Sequence, residues 1–239
     1  MNKSFIGKGT VYLEQIGGST GLLSIGNCSE LNMALNEDKK EQKDYEDAGG
    51  AVVNTVSRID SVTGSITSLD ISGDNLAKAL RGLVTLVAGA IQTSEAHTAI
   101  AGALTPLNFI RDTTVAPVVT GTGGTPVKVA GTDYELKNNG VIMVAAGAIE
   151  VTYTSADEIR LEALTASGLE YKMVFDGLNE ADSGKPVLVT IHRVKINPSQ
   201  ALDLITDEFA TLPMTFDILK DATVTGAGLS KFFKIQMNQ

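Results

Sequence analysis

The sequence predicts a mainly β fold, a sandwich or partly closed barrel with one flanking helix and an inserted β region. Two observations carry this expectation. Residues 29–37, 58–68 and 208–219 alternate with the period of two that marks a strand with one buried and one wet face. Only one short stretch, after Asp74, repeats its leucines at helical spacing.

The first alternating strand turns Leu31, Met33 and Leu35 one way and Glu30, Asn32, Ala34 and Asn36 the other. The second sets Val62, Gly64 and Ile66 against Ser61, Thr63, Ser65 and Thr67. The third sets Leu212, Met214, Phe216 and Ile218 against Thr211, Thr215 and Asp217. If the three share a sheet, its polar face carries Glu30, Asn32, Asn36, Ser61, Thr63, Ser65, Thr211, Thr215 and Asp217, with no Lys or Arg. An ordinary solvated face mixes both signs, whereas a basic-free face suits a surface that DNA passes without sticking. Pro186 leads a further strand to Ile196 whose His192, Arg193 and Lys195 fit that face poorly.

Between the first two strands lies a charged stretch, read as a loop: Glu37, Asp38, Lys39, Lys40, Glu41, Lys43, Asp44, Tyr45, Glu46 and Asp47. It then turns apolar at Gly49, Gly50, Ala51, Val52 and Val53. A structureless loop of this length is uncommon in a compact domain and points to function. For the helix that follows, Asp74 is the expected cap, Leu76, Leu80 and Leu83 the buried stripe, and Gly82 the C-terminal stop.

Elsewhere, residues 9–16 read as a strand, 22–25 as its short partner and 84–91 as a buried strand. The region of about 90–155 reads as an insertion in a single domain spanning 1–239. Its clearest signal is the turn Asn138-Asn139-Gly140 between alternating runs. The segment 113–125 has a loop and strand-edge composition.

Composition narrows the function classes. The net charge of −9 over 239 residues argues against a general DNA-binding surface, which needs a basic stripe. Cys28 is the single cysteine, so no internal disulfide or thiolate-rich metal site forms. No apolar run reaches the ~18 residues of a membrane helix, and Met1 to Gly9 lacks the apolar core of a signal peptide. Synthesis in a cytoplasm is therefore expected. No nucleophile elbow or P-loop is present, and His97 and His192 lack metal-ligand spacing, with no acidic partner evident for His97. Gly121 and Gly123 begin a dinucleotide fingerprint that Pro126 breaks. Asp176, Glu180 and Asp182 lie around Gly177 and Gly184, either a calcium loop or a solvated turn; Leu178 departs from the EF-hand pattern. No catalysis and no cofactor are expected.

The order of these elements resembles the major tail tube proteins of long, flexible-tailed bacteriophages. The resemblance rests on the strand at 9–16, the charged stretch 37–56 and Arg58-Ile59-Asp60-Ser61-Val62. It continues through Asn75-Leu76-Ala77-Lys78-Ala79-Leu80-Arg81-Gly82, Gly131-Thr132-Asp133-Tyr134 and Val151-Thr152-Tyr153-Thr154. It is strongest over 9–85 and 127–239. It implies a β-sandwich with a flanking helix whose inner sheets join edge to edge into a hexameric ring. Rings then stack into the conduit for genome delivery in a virion tail, and the cytoplasm of synthesis is implied to be that of a bacterial host. The implied partners are the chain itself and tape-measure, tail-tip and tail-terminator proteins, with DNA passing unbound and no membrane anchor. In that frame the polar face lines the lumen and the charged stretch contacts the next ring. The competing expectation is a β-rich binding module of adhesin or receptor-binding type.

Overall fold

The computed structural model describes residues 4–46, 49–199 and 201–238. The chain divides into two compact units, Met1–Leu83 with Leu161–Gln239, and Val84–Arg160. The first opens with β1 (Gly7–Gln15), β2 (Leu23–Ser24), β3 (Cys28–Lys43), β4 (Val52–Ser68) and helix α1 (Gly73–Leu80). Next come β5 (Leu83–Val87), β6 (Ile91–Ala99), β7 (Leu104–Pro106), β8 (Val118–Gly121), β9 (Tyr134–Lys137), β10 (Gly140–Met143), β11 (Gly147–Thr154) and β12 (Glu158–Glu162). The first unit is completed by β13 (Glu170–Asn179), β14 (Lys185–Ile196), β15 (Leu212–Ile218) and β16 (Phe233–Met237). The mainly β class is thus observed.

One antiparallel sheet organises the first unit, in the order β2-β1-β13-β14-β15-β4-β3, with β16 also paired to β14. The three alternating strands do share it, as neighbours β15-β4-β3. Their apolar sets face one core: Leu212, Met214, Phe216 and Ile218 with Val62 and Ile66 are buried, and Leu31 and Met33 pack against them. Strand β15 begins at Leu212, so the expected strand start at Glu208 is four residues too early. In β14 the alternation slips at a bulge opposite Tyr171 and Met173. Val187, Val189 and Ile191 face the core before it and Val194 and Ile196 after it, which leaves His192 and Arg193 half-buried on the outside. The sheet is open, ending at β2 and β3, so the expected partial barrel is not formed.

Helix α1 forms where expected, with different ends. Ser72, not Asp74, is its cap, with Oγ accepting from the Asn75 amide at 3.2 Å. Arg81, not Gly82, takes the left-handed stop, at φ 48°. The buried positions are Asn75 and Ala79, with Leu76 beside the core, rather than a row of leucines. Asn75 is satisfied there, its Nδ2 donating to the Ile25 carbonyl at 2.9 Å and the Asp70 carbonyl at 2.8 Å. A polar anchor can replace an apolar stripe when every donor finds an acceptor.

The second unit carries two three-stranded sheets, β7-β10-β9 and β6-β11-β8. Side chains from both close one core, including Val119, Ile149, Val151 and Tyr153 from one sheet and Tyr134, Val141 and Met143 from the other. The stretch of about 90–155 falls within the compact unit Val84–Arg160. The Asn138-Asn139 turn joins β9 to β10 as predicted. Strand β5 is largely exposed, against the expectation of a buried strand at 84–91. The segment 113–125 contributes a core strand, β8, with Val119 fully buried.

Candidate assembly surface

The polar face of the β15-β4-β3 neighbourhood is laid out by register. Asn32, Ser65 and Thr215 stand in one cross-strand row, and Ala34, Thr63 and Asp217 in the next. Beyond them Asn36 pairs with Ser61, its Nδ2 donating to the Ser61 Oγ at 3.1 Å. Glu30 pairs with Thr67, while Thr211 lies just outside the ladder. All nine expected residues are exposed or half-exposed. The basic-free character is local, however. Lys195 of β14 faces Asp217 directly, and Lys40 and Arg58 lie further along on the same side. Register decides this, because cross-strand neighbours share a face.

The charged stretch is not a loop. Asp38, Lys39, Lys40, Glu41 and Lys43 belong to β3, and Val52 and Val53 to β4, paired in an antiparallel hairpin. Asp44, Tyr45 and Glu46 form its tip, with the Asp44 amide donating to Ala51 O at 2.7 Å and the Glu46 amide to Asp44 Oδ1 at 2.8 Å. Asp47 lies outside the described residues. Sequence periodicity missed the hairpin because neither face is buried, so nothing forces apolar and polar residues to alternate. The usable signal was the β-branched run Val52, Val53, Thr55 and Val56 on the returning strand.

A bulge at Asn36/Glu37 divides this arm from the sheet, and a second at Gln42/Lys43 lies beside its tip. Beyond Thr63, strand β4 has no partner other than β3, since β15 pairs only with Thr63–Ser68. Pairs on one side of the arm are Glu37–Ile59, Lys39–Ser57 and Glu41–Thr55; on the other, Asp38–Arg58, Lys40–Val56 and Gln42–Asn54. Lys39 is held by Glu41 at 2.8 Å. Tyr45, Val52, Val53, Val56 and Ile59 are all exposed.

The chemistry-bearing side chains elsewhere act as staples. His97 has an acidic partner two residues away, Glu95, at 2.6 Å; in a strand that spacing puts both on one face. The Glu95 carboxylate also accepts from the Tyr153 hydroxyl at 2.7 Å and the Asn108 amide at 2.9 Å. Glu158 accepts from the Ile110 amide at 2.7 Å and pairs with Arg160. Two carboxylates thus fasten residues 108–110, and their oxygens are already engaged. Asp182 pairs with Lys185 at 3.1 Å in the turn after β13. Among the described residues no helix is long and apolar enough to cross a membrane.

These features define a class: a two-unit β protein with an open sheet and a projecting charged hairpin. The chain belongs to the family described as "Protein of unknown function UCP028589", whose model matches residues 4–236. A comparison with curated proteins finds no match.

Proposed function

We propose that this chain is a self-assembling structural subunit of tail-tube type, stacking as rings into a conduit for genome delivery in a virion tail. The observation that carries the reading is the arm. A two-stranded hairpin alone is marginal in water, yet this one extends past every other strand of its sheet with five large apolar side chains exposed. Packing against further copies would bury them.

Ring closure would pair the open sheet edges of identical neighbours, removing the hazard of an unpaired strand. The polar face around Asn32, Thr63 and Thr215 would then line the passage, and tape-measure, tail-tip and tail-terminator proteins would complete the assembly.

Light scattering and negative-stain electron microscopy test this directly. The purified protein is expected to form rings or tubes; a strictly monomeric species across concentration and salt, even with a tail-tip complex added, overturns the reading. Replacing residues 39–57 with a two-residue Asn-Gly turn should give a folded protein that forms no long tubes. The assembled protein should also leave duplex DNA unretained in a gel shift at about 0.15 M salt, where charges beyond ~8 Å are screened. Clear retention there would contradict a slippery passage.

A further inference from the structure

The segment between β14 and β15 carries apolar side chains with nothing to cover them. Ile205 and Phe209 are 98% and 99% exposed, and Leu204 84%. The segment is nevertheless anchored at both ends. Leu202 packs against the core, Leu212 is buried, and the Ser199 hydroxyl shares its one proton between Ala201 O at 2.8 Å and Pro213 O at 2.9 Å. Between these anchors the Thr206 hydroxyl donates to Glu208 O at 3.0 Å and accepts from the Glu208 amide at 3.1 Å. A held turn therefore projects three apolar side chains among three carboxylates, Asp203, Asp207 and Glu208, none of which makes an ion pair among the described residues.

The complementary surface lies on the same molecule. On one side of the arm Val56, 47% exposed, sits opposite Lys40 and two residues from Arg58. Unlike Lys39, neither cation has a carboxylate within ion-pair distance among the described residues. Asp38 stands opposite Arg58, and Lys40 stands opposite the apolar Val56.

We propose that residues 203–209 of one copy dock on the Lys40–Val56–Arg58 side of the arm of a second copy. Phe209 covers Val56 between the two cations, an arrangement that adds a cation–π attraction to the apolar burial, and Asp207 and Glu208 meet Lys40 and Arg58. The contact joins two different patches, so it is heterologous and repeats without closing on a pair. This inference rests on the self-assembly reading above and supplies the receiving site for the arm.

A charge-reversal cycle tests it. Lys40→Glu with Arg58→Glu, and separately Asp207→Lys with Glu208→Lys, should each raise the concentration needed for assembly at least about tenfold, equivalent to about 1.4 kcal/mol per contact. Circular dichroism should show both variants folded, since all four positions are exposed. Combining the four changes should restore assembly. Singly altered proteins that assemble like the parent, or a combined variant that does not recover, overturn the docking while leaving tube formation intact. A parent protein that never assembles overturns the self-assembly reading as well.

A second measurement does not depend on tubes. In a Cys28→Ser background, Asn54→Cys and Leu204→Cys proteins mixed under oxidising conditions should give a disulfide-linked dimer, and neither alone should. No mixed dimer, or equal dimer in the unmixed samples, overturns the pairing.

Discussion

Gly64 shows how tightly a single position can be specified. A Cβ there would run into the Phe216 ring and lie 2.6 Å from the Asn32 carbonyl oxygen. Phe216 pairs with Gly64 across the strands and folds its ring over the space the glycine leaves, a way of restoring packing that a strand glycine lacks. The same device recurs where Phe175 covers the facing pair Gly9 and Gly177. Because the Asn32 carbonyl is backbone and cannot rotate away, Gly64→Ala should cost about 1–3 kcal/mol. A urea midpoint unchanged from the parent would show that the sheet yields there.

Tyr153 gives a second test at this scale. Burial, with the neighbouring Glu95 carboxylate, pushes its hydroxyl up to about 12, against an ordinary value of about 10. A folded value above the unfolded one means its contribution is present below the unfolded value and is lost as pH rises through the folded one. Tyr153→Phe should therefore make the loss of stability between about pH 10 and 12 shallower without abolishing it, because burial also raises Tyr134 and Tyr171. Urea midpoints at about pH 8 and pH 11 check this, and identical slopes would contradict it.

At the scale of elements, capping and edges do the specifying. The eight-residue helix α1 is too short to hold itself, so its Ser72 cap matters. Ser72→Ala should cost about 1 kcal/mol, a fall of roughly 2–4 °C in the unfolding temperature of a unit this size. The two units treat their edges differently. Edge strand β6 is interrupted by a bulge at which Ser94 takes φ 49°, and it turns Glu95 and His97 toward the core side, only 10% and 13% exposed. Inward charges and bulges are known guards against edge pairing. Edge strand β3 runs for 16 residues, with bulges only where the arm departs and at its two ends. Shortening the arm should leave the thermal stability of the sheet within a few degrees of the parent, because Glu37–Lys43 and Val52–Ile59 touch no core cluster.

For the whole molecule, two separate cores predict two cooperative events. The cluster around Phe216 and Met173 and that around Val119 and Val151 share no member. Calorimetry should give a total enthalpy larger than the van't Hoff value of a single transition. A ratio of one would mean that the units unfold together.

What the sequence determined by itself was whatever burial imprints on it. Leu212, Met214, Phe216 and Ile218 had to be apolar because one face of β15 is closed off, so strand and face could be read, while their sheet neighbours came from the structure. The Asn138-Asn139-Gly140 turn was legible for a local reason, since its backbone demands those residues. The arm, the bulge at His192 and Arg193, and the Ser72 cap left no such imprint. Where neither face is buried the period of two vanishes, and where a bulge intervenes the alternation changes phase. Only the tertiary pairing placed Lys195 beside Asp217 and Lys40 beside Val56, because which residues share a face across strands is fixed by register, and register is a property of the folded sheet.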